Sequence, residues 1–410
     1  MPARRRWTPI VGHGSRVYDA KERVLLGLAD LPGRLLLGWR AHAKRPLDPE
    51  GVREVLVLRL DRIGDVLMSL PALHDLRAVL PHARIRLATG KWSAEIARSA
   101  PVDEVLVWSA PWVGRPSEGA QALGELVSAA RALRATPLDL AIDLQGDVRA
   151  SLLLWLSGAR ARVGYANTGG AYLLSHVVPL DETVSWVEQN RRAVALAVGS
   201  AKAPPRFDPL SADDRSFAQH LYANLHLEEK RPLVGLHPSG GRRVKQWPVE
   251  RWAEVATRLQ QEHGATILIT GSEGDRPLAA ALAKLLPRKA LDLSGRLGVR
   301  EMMAFLSGLD LFLSPDTGPM HMACALDTPS VSVFGPSDPM RYFSGGDGRS
   351  GSRHVVVRAD LWCSPCNLIR KPPAECAGQE PPECLRLVGA DAVYTESARL
   401  LQVARGPVPR

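Results

Sequence analysis

Leu309-Asp-Leu-Phe-Leu-Ser-Pro-Asp316-Thr317-Gly318-Pro319-Met-His321-Met-Ala-Cys-Ala-Leu-Asp-Thr-Pro-Ser330-Val-Ser-Val-Phe334-Gly-Pro336 reads as strand, tight loop, short helix and strand. Residues 309–313 form the kind of short apolar run that makes a fully buried strand. Residues 314–319 are loop chemistry, with Pro319 suited to the first position of a helix. The spacing predicts that helix over 320–326 and the next parallel strand over 330–334. In an open α/β sheet such a loop lies at the carboxyl end of a strand, where ligands bind. The helix start offers unpaired N–H groups and partial positive charge to a phosphate, and His321 adds a third donor. Equally, Asp316 and Thr317 suit a plain helix cap and His321 a satisfied core histidine. The local pattern leaves both readings open.

Outward from this stretch the same alternation recurs. Apolar runs at 55–58, 85–88, 105–108 and 138–144, and again at 233–237 and 266–270, are separated by helical patterns, which predicts two parallel sheets. The proline-dense segment 201–209 is the linker candidate. The expected organisation is a leader (1–50), a first Rossmann-like domain (51–203), a second (204–390) and a C-terminal helix and tail (391–410). In both halves the motifs fall where strands end.

With 410 residues, 45% apolar and 23% charged, the chain has the composition of a soluble globular enzyme with room for two cores. No run is long enough to predict a membrane-spanning helix. The net charge of +9 is concentrated: residues 1–46 hold ten Lys or Arg against three acidic residues. A basic surface spread over the body, as a nucleic-acid binder needs, is not indicated. Val24, Leu25, Leu28, Leu31, Leu35 and Trp39 recur at helical spacing, with Pro32-Gly33 expected to break or kink the helix. This basic amphipathic leader suits an anionic membrane surface, and equally a helix packed on the body or a disordered tail.

Asp316-Thr-Gly-Pro-Met-His321-Met-Ala and Pro329-Ser-Val-Ser-Val-Phe-Gly-Pro336 resemble the donor-binding signature of the heptosyltransferase family. Three further segments fit: Gly64-Asp65-Val66 after a strand, Asp143-Leu-Gln145-Gly146, and His237-Pro-Ser239-Gly240-Gly241 followed by Lys245-Gln-Trp247-Pro248. The resemblance covers residues 53–400 and implies a GT-B fold, two Rossmann-like domains facing a central cleft. It implies an inverting glycosyltransferase that moves a sugar from a nucleotide-diphospho-sugar to a lipid-linked glycan acceptor. A cytoplasmic enzyme, peripheral on the inner face of the cytoplasmic membrane, is the expected setting. Another nucleotide-sugar enzyme such as an epimerase, or a non-catalytic binding member, remains the alternative.

By the resemblance Asp65 is the base, although as a residue it also suits a helix N-cap. Asp143 and Gln145 are expected at the acceptor, with loop capping open as another role. Ser239, Gly240 and Gly241 let backbone N–H groups approach a diphosphate and Lys245 adds a charge. Asp275 is the expected ribose ligand, with Glu273 as alternative. Asp316, Thr317, Gly318 and His321 complete the donor set. No Asp-x-Asp motif occurs, so no catalytic metal is expected. Cys363-x-x-Cys366, Cys376 and Cys384 form a compact set within twenty-two residues, and predict a closed structural site for zinc or iron rather than disulfides.

Overall fold

The computed structural model describes residues 31–33, 35–36, 45–110, 119–201, 209–369, 372–373, 376, 379 and 381–404. The chain divides into two compact units, Met1–Phe207 and Asp208–Arg410. Most of the expected linker lies outside the described residues.

The first unit is built on six parallel strands: β1 (Glu54–Arg59), β2 (Arg84–Thr89), β3 (Glu104–Val107), β4 (Leu140–Asp143), β5 (Ala161–Gly164) and β6 (His176–Val177), in the order β3-β2-β1-β4-β5-β6. β1 is Glu-Val-Leu-Val-Leu-Arg with its last five residues buried, the continuous apolar run demanded when helices cover both faces. Its longer helices are α1 (Ile63–Val79), α2 (Gly119–Ala132), α3 (Val148–Leu156) and, after β6, α4 (Trp186–Val198). Leu56, Leu58, Ala141, Leu153 and Leu154 lie at the centre of one core face.

The second unit repeats this plan with β7 (Leu233–Leu236), β8 (Thr266–Ile269), β9 (Leu291–Asp292), β10 (Leu311–Pro315), β11 (Ser330–Phe334) and β12 (His354–Arg358), ordered β12-β11-β10-β7-β8-β9. Its longer helices are α5 (Ala212–Asn224), α6 (Val249–His263), α7 (Arg276–Leu285), α8 (Val299–Ser307), α9 (Gly318–Ala325) and α10 (Ala390–Ala404). α10 puts Val393, Leu400 and Leu401 into the core beside Trp252 and Leu259 of α6. Arg258 stacks over the Tyr394 ring at 3.6 Å.

Both sheets therefore have the doubly wound 3-2-1-4-5-6 strand order. In each, the order reverses between the first and fourth strands, and the crevice beyond their carboxyl ends is where such sheets bind ligands. The strand expected at 309–313 begins two residues later. Leu309 closes a turn on Leu306, and the Asp310 carboxylate takes the Leu233 N–H at 2.7 Å and Arg231 at 2.6 Å. Apolarity at Leu309 reports burial, not strand pairing. Residues 31–33 and 35–36 are helical, so Pro32 and Gly33 do not break that turn as expected. Leu31, Leu35 and Leu36 are 51%, 74% and 72% exposed. The remainder of the expected amphipathic face lies outside the described residues.

Candidate active site

At the switch point of the second unit, the loop after β7 meets the loop after β10. His237-Pro-Ser-Gly-Gly leaves the strand and folds back on itself. A β-carbon on Gly240 would sit 2.6 Å from the Lys245 carbonyl carbon and 2.7 Å from the Gln246 nitrogen. No side chain fits there. Gly241 follows at φ +65°, in the left-handed region that glycine enters without strain. The turn delivers Lys245, whose ammonium donates to the Asp316 carbonyl oxygen at 2.6 Å and to its carboxylate at 3.1 Å. Lys245 and Asp316 thus form an ion pair whose side chains are 16% and 10% exposed.

Asp316 does not cap α9. Its carboxylate takes the Lys245 ammonium and the Ser337 hydroxyl. Burial would raise its pKa, but the charges of Lys245 and His321 and these hydrogen bonds hold it below the usual carboxylate value. The N-cap is Thr317, with no side-chain cap bond, and its hydroxyl instead donates to the Pro315 carbonyl at 3.2 Å. The first turn of α9 therefore keeps backbone donors that no capping side chain takes up. His321 is buried on that turn, with Nδ1 2.9 Å from Ser344 Oγ.

Asp275 closes a capping box at the start of the turn after β8, taking the Ser272 N–H at 2.8 Å and hydroxyl at 2.6 Å. It is also hydrogen-bonded to Ser239, which ties the two loops together. Burial opposes its ionisation, but these bonds and the charge of His237 lower its pKa. Glu273 pairs with Arg276 on the surface. His237 itself is buried, with Nδ1 3.2 Å from Thr270 Oγ1; desolvation pushes it down to about 4. Trp247 is an anchor rather than a ligand. It is fully buried, edge-on to Trp252 at 4.6 Å, and donates to Val388 O at 3.2 Å.

In the first unit the corresponding loops follow β1 and β4. Arg59, 3% exposed at the end of β1, donates to the Leu144 carbonyl beyond β4. Its guanidinium lies 3.6 Å from Asp61 and 3.5 Å from Asp65. α1 begins at Ile63 with Arg62 as N-cap, so Asp65 is the third helical residue and does not cap. Its side chain is 31% exposed, reachable yet held by a buried cation. The expected acceptor pair separates. Asp143 is fully buried and takes the N–H groups of Gln145 at 2.8 Å and Gly146 at 3.1 Å, so it closes the loop. Burial, with Asp147 and Asp61 nearby, pushes it up to about 8 against the pull of those two bonds. Gln145 Oε1, by contrast, is a buried acceptor without a hydrogen-bond partner.

The expected metal site at the cysteine cluster finds no support among the described residues. All five cysteines are free thiols. Among the described residues no group of three or more His, Cys, Asp or Glu is arranged to hold a metal ion. Cys363 is exposed while Cys384 is buried on a short helix (Glu383–Arg386), so spacing in sequence does not become a preassembled ligand set. Electrostatic proximity remains: burial first, then Cys366, Cys376 and Cys363, push the Cys384 thiol up to about 11.

Residues 126–375 match the family described as glycosyltransferase family 9 (heptosyltransferase). The chain belongs to this family. Lipopolysaccharide heptosyltransferase 1 of Escherichia coli (strain K12) is 28% identical over 327 residues, 74% of this chain and 93% of that protein. Among solved structures, the glycosyl transferase family 9 protein from Veillonella parvula DSM 2008 superposes with a TM-score of 0.70 at 20% identity, covering 88% of this chain and 99% of that one. The E. coli heptosyltransferase WaaC with ADP gives a TM-score of 0.63 at 24% identity, covering 85% of this chain and 99% of that one. This glycosyltransferase accordingly has the GT-B fold. The matched segment contains the Lys245, Asp316 and Asp143 loops; Asp65, Cys376 and Cys384 lie outside it. No described helix is long and apolar enough to cross a membrane.

Arg59, Ser337 and Ser344 were not anticipated. A polar residue ending an apolar strand was the signal for Arg59; neither serine carries one.

Proposed function

We propose that this glycosyltransferase moves heptose, with inversion, from ADP-heptose to a lipopolysaccharide-core acceptor. The observation that carries the reading is the junction of Lys245 with the uncapped start of α9 at Asp316, within a chain of this family. In this reading the diphosphate takes the backbone N–H groups of Ser239 to Gly241 and of the first turn of α9, with Lys245 as the adjacent cation. Asp275 holds the Gly-rich loop through Ser239, a supporting role beside the ribose contact proposed for it.

Asp65 takes the proton from an acceptor hydroxyl. That oxygen forms a bond to the anomeric carbon from the face opposite the diphosphate, and the carbon–oxygen bond to the diphosphate breaks with its electron pair. Charge grows on the leaving oxygen, where Lys245 and the helix N–H groups stabilise it more in the transition state than in the ground state. Gln145 Oε1 receives a hydroxyl of the acceptor. Titration of ADP-heptose turnover with and without an acceptor glycan tests the reading; donor consumption that needs no acceptor would overturn it.

Two finer readings stand as proposals. The leader holds the enzyme against an anionic membrane on the cytoplasmic side, supported by its charge and the exposure of Leu31, Leu35 and Leu36. The four clustered cysteines bind a structural zinc or iron, supported by their thiol chemistry and the electrostatic proximity of all four.

A further inference from the structure

β10 and β11 pair in parallel as far as Pro315 and Val333, so the residues that follow them leave the sheet side by side. Asp316 follows β10, and the strap Gly335-Pro336-Ser337-Asp338 follows β11. Ser337 is 1% exposed, and its hydroxyl donates to Asp316 Oδ2. The Lys245 ammonium meets the same oxygen at 3.1 Å, while its shorter bond, 2.6 Å, goes to the Asp316 carbonyl. Ser337 takes up part of the acceptor capacity of Oδ2, which leaves the ammonium less tightly claimed by the carboxylate.

One loop grips the strap on both sides of Ser337. The Ser364 hydroxyl donates to the Gly335 carbonyl at 2.8 Å. The N–H groups of Cys366 and Asn367 both donate to the Pro336 carbonyl, at 3.1 and 2.8 Å. Asn367 Oδ1 takes the Asp338 N–H at 2.8 Å. None of these bonds uses a thiol. Asn367 sits at φ +58°, in the left-handed region that Asn and Asp enter more readily than other side chains. The short helix Glu383–Arg386 closes in on the strap as well: a β-carbon on Gly335 would lie 2.7 Å from Leu385 Cγ and 3.4 Å from Cys384 Sγ. A backbone held at 335, 336 and 338 leaves Ser337 little freedom to move.

We propose that Asn367 and Ser364 are positioning residues for donor binding. They hold Ser337 against Asp316, and that contact sets how far the Lys245 ammonium is free for a diphosphate. The loop that carries Cys363 and Cys366 thereby controls donor affinity without touching the donor. The proposal rests on the donor site proposed above.

ADP binding to the full-length enzyme, measured by calorimetry, tests this. Ser337→Ala and Asn367→Gly are each expected to weaken ADP several-fold. Glycine takes φ +58° without strain and removes the side-chain acceptor. If Asn367 acts through Ser337, the double variant binds no more weakly than Ser337→Ala alone. Asn367→Asp keeps the acceptor and should bind ADP as the wild type does. In turnover, Asn367→Gly should raise the KM for ADP-heptose several-fold and leave that for the acceptor unchanged, which a general loosening of the fold would not do. Should Asn367→Gly fail to fold, Ser364→Ala, which releases the Gly335 carbonyl, takes its place in the cycle. Unchanged ADP affinity in the single variants, fully additive losses in the double, or equal weakening in Asn367→Asp and Asn367→Gly overturns the proposal. A wild type that does not bind ADP overturns the donor reading and this proposal with it, whereas a wild type that binds while the variants match it overturns this proposal alone.

Discussion

Lys245 donates to Asp316 twice, at 2.6 Å to its main-chain oxygen and at 3.1 Å to its carboxylate. One side chain thereby locks the Gly-rich loop of β7 to the start of α9 and, in the proposed reading, also supplies positive charge to the diphosphate. These two tasks separate by mutation. Lys245→Ala leaves the buried Asp316 carboxylate with less compensation and should cost about 1–3 kcal/mol of stability. Donor affinity and turnover should both fall. Adding Asp316→Asn should return much of the stability without returning turnover. Denaturant melts and ADP-heptose titrations on the single and double variants check this; recovered turnover in the double variant would reduce Lys245 to a structural tie.

Stability should depend on pH through two buried groups of opposite sign. His237 is lowered to about 4, so the unfolded chain takes up its proton first as the pH falls. Its contribution is complete above the unfolded value of about 6.5 and is lost on acidification toward 4. Asp143 is raised to about 8, so the folded state binds the proton that the unfolded state has released. Its contribution is present below about 4 and is lost as the pH rises through 8. Between 6.5 and 8 only Asp143 of this pair acts, and the melting temperature should fall with rising pH there. Asp143→Asn should flatten that limb, at the cost of an acceptor for the Gly146 N–H. An unchanged slope would assign the limb to other groups.

The motifs were legible because each lies where an apolar strand gives way to small or polar residues, and chain connectivity then fixes the switch point. What those residues hold onto was less legible. Ser272-Glu-Gly-Asp275 carries the capping-box spacing in plain view, yet the carboxylate read as a ribose ligand because its loop follows a strand. Asp143 and Gln145 occupy one loop with opposite fates, decided by which backbone N–H groups the turn aims at a carboxylate. Local sequence does not specify that aim. The cysteine spacing likewise gave proximity, with no arranged ligand group among the described residues.

If the four cysteines hold zinc or iron, protein purified without a metal-affinity column should carry close to one equivalent by elemental analysis. Cys384→Ser, at the buried member, should remove it and expose the neighbouring loop to proteolysis. Four reactive thiols and no metal in the native protein would eliminate the site.

The leader should be dispensable for chemistry. Truncation to a start near Leu47, which still bonds its N–H to Ala197 at 2.9 Å, should leave turnover on a soluble acceptor fragment unchanged. It should lower sedimentation with anionic vesicles and lose the salt dependence of that binding. Equal vesicle binding by both forms would remove the membrane role.

Asp65 offers the sharpest division of labour. It stands at the third position of α1, does not cap it, and faces Arg59 at 3.5 Å. Asp65→Asn preserves size and the helix while removing the proton acceptor. Because no step of donor binding is assigned to it, affinity for ADP-heptose should stay within a few-fold of wild type. Single-turnover transfer should drop by about 10²–10⁴, the usual worth of a positioned base. Arg59→Lys separates orientation from basicity. It keeps a cation but loses the planar fork that reaches Leu144, Asp61 and Asp65 together, so turnover should fall less steeply than in Asp65→Asn, and stability more. Near-normal transfer by Asp65→Asn would leave the first unit without its base. Asp143, spent on two backbone N–H groups, is poorly placed to substitute, which moves the search to Asp61 on the loop between β1 and α1.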